Sequence, residues 1–135
     1  MTFTPKYTHE EVDALIDRGG LNYLEVYRLK HQHPWNQATH YIGIPMIVFS
    51  LVWPLYTWFA RGYFDWKTLG IFFVVGWIIQ FIGHFIEGNQ PAFFKNPVHL
   101  VMGPLFIVAK PFVWLFEKAT GKKVWKADRL KDASA

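Results

Sequence analysis

At 135 residues the chain is long enough for one domain and too short for two comfortable ones. Hydrophobic residues make up 52% and charged residues 18%, the reverse of the balance that keeps a chain disordered. With no Cys, a disulfide framework, a thiolate zinc site, an iron–sulfur centre and a cysteine nucleophile are all excluded.

The formal charge of +4 is unevenly spread. Residues 1–37 carry four bases against five acids, whereas residues 117–135 carry six bases against Glu117, Asp128 and Asp132. Between them lie few charges and most of the seven Trp, six Tyr and thirteen Phe, more ring surface than a small soluble core can hide. A basic end beside apolar segments points to membrane lipids. A nucleic-acid binder would gather bases and rings on one surface, so nucleic acid is not an expected partner.

In chain order, the N-terminus is polar and lacks the short apolar run of a secretory leader. Thr8-His9-Glu10-Glu11 fits a capping box, followed by Val12, Leu15 and Ile16 at helical spacing and by Gly19-Gly20 as a stop. A second helix is expected from Leu21 to about Gln32, ended by Pro34. Tyr41 to Ala60 is uncharged over a membrane-spanning length, and its Pro45 and Pro54 are tolerable in a membrane helix. Thr68 to Ile86 is a second such span. The third segment runs from Asn96 to Ala109, is interrupted by Lys110-Pro111, and resumes over Phe112–Phe116. One kinked span, a re-entrant pair and an interfacial helix all fit that pattern.

The expected fold class is therefore all-α: a small integral membrane helical bundle with three to four membrane segments. Residues 1–37 would form an N-terminal interfacial region, 38–117 the membrane segments and 118–135 a basic tail. Trp35, Trp58, Trp66 and Trp114 stand near segment ends, where interfacial belts form, while Trp53 and Trp77 fall mid-segment and suit helix packing.

His9 reads as a solvated residue. Among the other five histidines, His40 begins the first span, His84 ends the second and His99 begins the third, with His31 and His33 just ahead of His40. Alternating crossings would put all of them on one side. Asn36, His40 and Gly43 share a helical stripe, as do Gln80, His84 and Glu87. Gln80 and His84 sit inside an otherwise apolar span, where a polar side chain is costly and marks a functional candidate; Asn36, Gln80 and Glu87, on these stripes, are taken as candidate catalytic groups. Gly83 and Gly88 would let neighbouring backbones approach. Imidazoles with a carboxylate and no thiol suit Fe(II), Zn(II), Mn(II) or Cu(II), and two His with one carboxylate is an oxygen-activating iron set. The competing reading is a row of interfacial histidines bonded to backbone or headgroups. Glu87 has two open roles, as a ligand or as acceptor of the second ring N–H of a ligating histidine.

Three blocks carry a family resemblance. Tyr27-Arg-Leu-Lys-His31 with Asn36-Gln-Ala-Thr-His40-Tyr-Ile-Gly43-Ile-Pro45 is the first. Trp77-Ile-Ile-Gln80-Phe-Ile-Gly83-His84-Phe-Ile-Glu87-Gly-Asn-Gln-Pro91-Ala92 is the second, and His99-Leu-Val-Met-Gly-Pro104-Leu-Phe106 the third. They resemble the signatures of a family of small multi-pass membrane proteins that includes the yeast 2-hydroxy fatty acid dioxygenases, over about residues 20 to 117. The resemblance implies an Fe(II)-dependent dioxygenase that shortens a long-chain 2-hydroxy fatty acid by one carbon with O2. It maps the family's histidines onto His31, His40, His84 and His99, leaves His33 outside the pattern, and favours the acceptor role for Glu87.

The acyl chain would then lie along Phe72, Phe73, Phe81, Phe85 and Phe106, if those rings are not simply core, and Lys95 would face the carboxylate. The other class of function is a non-catalytic subunit of a larger membrane complex, or a homo-oligomer. The expected location is the bacterial inner membrane, or the endoplasmic reticulum in a eukaryote. A fully crossing third segment would place five bases on the histidine side and eight opposite, which puts the tail in the cytoplasm.

Overall fold

The structure is a computed structural model that describes residues 3–133. Its elements are helical, with no strand among the described residues: α1 (His9–Arg18), α2 (Tyr23–Leu29), α3 (Pro34–Arg61), α4 (Trp66–Glu87), a 3₁₀ turn (Ala92–Phe94), α5 (His99–Thr120) and α6 (Lys126–Ala133). α3, α4 and α5 are each long and apolar enough to cross a membrane. The chain forms two compact units. One is the hairpin His33–Gln90, and the other combines the N-terminal part through Gln32 with the chain from Pro91 onward.

In the hairpin unit, α3 and α4 pack against each other along a seam of small and polar residues. Asn36, Gly43, Ser50 and Thr57 recur every seventh position of α3 and are all buried, as are Gly76, Gln80 and Gly83 of α4. A Cβ on Gly43 would lie 2.8 Å from the Gly76 carbonyl oxygen, and one on Gly76 would lie 2.9 Å from that of Gly43, so both backbones need glycine to approach this closely. The outward sides carry Val52, Leu55, Phe59, Val74, Ile78 and Phe85, all exposed. Polar groups inside and large apolar groups outside is the inverse of a soluble helix pair and suits a lipid surround. Ser50 and Thr57 satisfy their hydroxyls locally, donating to the carbonyls of Ile47 and Pro54 at 2.6 and 3.0 Å.

Asp65 sets the turn of the hairpin. It caps α4 by accepting from the Thr68 amide at 3.0 Å and also takes the Trp53 indole N–H at 3.0 Å. Pro34, read from sequence as a terminator, is instead the first residue of α3, where a missing N–H costs nothing.

In the other unit the Thr8–Glu11 capping box and the Gly19 stop form as expected. α2 begins later than expected because Asn22 takes the N-cap, accepting from the Glu25 amide at 2.8 Å, and it ends earlier, at Leu29. The third apolar segment is one helix, α5, containing Pro104 and Pro111, so the Lys110-Pro111 pair does not divide it. Residues 118–135, read as a tail, carry α6, whose Ala127 and Asp128 are buried. Tyr7, Val12, Leu29 and Ala127 make a small core.

Around that core, Asp128 receives the Tyr7 hydroxyl at 2.5 Å, the Arg28 guanidinium at 3.2 Å and the Lys6 ammonium at 3.0 Å. Burial pushes the Asp128 carboxyl up, but the Tyr7 hydrogen bond and the two cations outweigh it and hold the group below the ordinary carboxylate range. The buried Glu25 carboxylate accepts from the Ala127 amide at 2.5 Å, joining α2 to the start of α6.

Candidate metal centre

The hairpin brings His40 and His84 together because one begins an outgoing helix and the other ends the returning one. Their rings are 4.9 Å apart at an interplanar angle of 88°, and both side chains are buried. His40 Nδ1 lies 2.8 Å from the Asn36 carbonyl oxygen, one helical turn back. His84 Nδ1 lies 2.9 Å from Asn89 Oδ1. A carbonyl oxygen only accepts, so each ring carries a proton on Nδ1. A buried pair of imidazoles protonated on Nδ1 would ligate a divalent transition metal through Nε2.

Asn36 is the hub of this end of the hairpin. Its side-chain N–H donates to Glu87 Oε2 at 2.5 Å, and its carbonyl also accepts from the Thr39 hydroxyl at 2.7 Å. Gly83 faces it: a Cβ there would collide with the Thr39 and Asn36 side chains, so only glycine leaves room for the hub. Gly88 ends α4 in the left-handed conformation, φ 80°. Gln80 is buried beside Gly43, one turn before His84.

His33 is bonded in the opposite sense. Its Nδ1 accepts from the Trp35 amide at 3.1 Å and caps α3. That use of the lone pair agrees with its place outside the family pattern. His9 is exposed.

In the other unit, His31 is buried, stacks on Tyr27 at 3.9 Å and has Nδ1 2.6 Å from the Tyr27 carbonyl oxygen, so it too carries a proton on Nδ1. His99 is buried at the start of α5, edge-on to Tyr23 at 5.9 Å, and its Nδ1 has no hydrogen-bond partner. A buried imidazole nitrogen without a partner is costly unless something else takes its lone pair or proton, and a metal ion would. Of the Phe residues considered for an acyl chain, Phe106 is buried against Tyr27, whereas Phe73, Phe81 and Phe85 are exposed. Lys95 is exposed.

Asn89 was not among the candidates from sequence. Its signal is faint, a Gly-Asn pair after a helix end, and it acquires meaning only once Gly88 turns the chain back toward His84.

Residues 21–115 match a family model described as 2-hydroxy-palmitic acid dioxygenase Mpo1-like. No curated protein and no solved structure matches the chain.

Proposed function

The chain belongs to the 2-hydroxy-palmitic acid dioxygenase Mpo1-like family, and from that premise we propose that it is an Fe(II)-dependent membrane dioxygenase acting on long-chain 2-hydroxy fatty acids. The reaction is the loss of one carbon: a 2-hydroxy acid and O2 give the acid one carbon shorter, CO2 and water. The observation that carries the reading is the His40–His84 pair, two buried rings 4.9 Å apart, each with its Nδ1 held against a carbonyl oxygen.

The donor set fits the metal. Within the hairpin His40 and His84 are a buried pair of imidazoles, and in the other unit His31 is buried and His99 Nδ1 has no hydrogen-bond partner. His31, His40, His84 and His99 are the proposed ligands. Iron, when bound, would supply the site where O2 and the chelating hydroxyl and carboxylate of the substrate meet.

The chain's own residues supply the rest. The Asn36 carbonyl orients His40, and Glu87 steadies Asn36 through the side-chain amide, so Glu87 acts behind the ligands rather than as one. Gln80, buried in the seam one turn from His84, offers an amide to the polar head of the substrate. The exposed Phe73, Phe81 and Phe85 offer apolar contact to an acyl chain arriving from the bilayer.

Protein purified in detergent, freed of metal and reloaded with Fe(II), is expected to take up O2 only when 2-hydroxyhexadecanoate is added. Uptake indifferent to the 2-hydroxy acid would overturn the reading.

A further inference from the structure

α4 closes with a double hydrogen bond. The amides of Gly88 and Asn89 both donate to the His84 carbonyl oxygen, at 2.9 and 3.2 Å. With Gly88 in the left-handed region the chain reverses, and the Asn89 side chain returns to the ring it has just passed. His40 is oriented by a backbone carbonyl that substitution cannot delete. His84 is oriented by a side chain, which can be changed.

We propose that Asn89 is a positioning residue whose Oδ1 holds His84 in the Nδ1–H form and fixes the orientation of its ring beside His40. Free histidine favours the other tautomer, so without this acceptor His84 would place a proton where a ligand needs a lone pair. Gly88 is the enabling residue, since an L side chain at φ 80° is strained and would pull Asn89 off the ring.

The consequence for metal binding rests on the reading of His84 as a ligand, while the tautomer itself does not. The test therefore has two arms on full-length protein in micelles. The first is the ring-nitrogen NMR spectrum of histidine-labelled, metal-free protein, with the His84 signals assigned by their loss in His84→Gln. The second is titration with Co(II) as a spectroscopic probe. Wild type and Asn89→Asp, which keeps an acceptor oxygen, are expected to show His84 as Nδ1–H. Asn89→Leu is expected to show Nε2–H and to weaken Co(II) binding about 10–100-fold.

Persistence of the Nδ1–H form in Asn89→Leu would overturn the proposal. So would failure of Asn89→Asp to restore it, which would make Asn89 merely a cap of the helix. If wild type took up no Co(II), the metal reading would fall while the spectra still decided the role of Asn89.

Discussion

Asn36 and Glu87, 51 residues apart in sequence, meet with Nδ2 and Oε2 at 2.5 Å, tying the first turn of α3 to the last residue of α4. The Asn36 carbonyl also holds His40, so in the proposed centre the carboxylate would act behind a ligand.

Glu87→Ala is accordingly expected to weaken Fe(II) binding about 10–100-fold and to leave saturating iron still able to bind. A chelator-competition titration measures this. Complete loss of binding would make Glu87 a ligand, and wild-type affinity would make it a bystander at a helix end.

Single His40→Ala, His84→Ala, His31→Ala and His99→Ala substitutions each remove one proposed donor nitrogen and are expected to abolish stoichiometric iron. His9→Ala, at an exposed position, is expected to change nothing. Metal analysis of the purified variants distinguishes a shared centre from four separately packed histidines.

The Gly43–Gly76 contact gives a stability prediction with a built-in control. Gly43→Ala puts a methyl 2.8 Å from a backbone oxygen and is expected to destabilise the hairpin by about 1–3 kcal/mol. Gly70, where a Cβ meets nothing within 4 Å, is expected to tolerate Ala or gain up to about 1 kcal/mol from helix propensity. Unfolding in mixed micelles orders the two variants.

Much of the fold was legible where local chemistry decides it. The Thr8–Glu11 box, the Gly19 stop and the two uncharged spans all form helices as read. Reading was poorer where distant residues decide. Pro34 looks the same in sequence whether it ends one helix or opens the next. Lys110-Pro111 breaks a hydropathy run but not α5, because a lysine stem and a proline both fit within a helix whose neighbours satisfy the backbone. α6 was hidden by its charge, since its packing depends on Glu25, Arg28 and Tyr7 about a hundred residues earlier. At the site, the histidine stripes and Gln80 were visible as polar residues in apolar helices, whereas Asn89 needed the Gly88 turn.

The Asp128 cluster predicts how the docking of α6 depends on pH. The folded carboxyl is held below its ordinary value, so its contribution is complete at neutral pH and is lost as pH falls through the depressed value. Tyr7 behaves oppositely. Burial and Asp128 raise its hydroxyl above the ordinary value, and its contribution is lost only as pH rises beyond about 10. Hydrogen exchange is expected to show α6 protected between these limits and opening at either extreme. Asp128→Asn should open it at neutral pH, and protection indifferent to both acid and Asp128→Asn would remove the cluster as its anchor.

The most direct measurement is release of the carboxyl carbon. Carboxyl-labelled 2-hydroxyhexadecanoate is supplied with O2 to the Fe(II)-loaded protein, and labelled CO2 and pentadecanoate are quantified together. The expected result is equimolar labelled CO2 and pentadecanoate from wild type and neither from His84→Ala. Iron-loaded wild type that leaves the label in intact substrate, or a His84→Ala variant that releases it at the wild-type rate, would contradict a dioxygenase built on the His40–His84 pair.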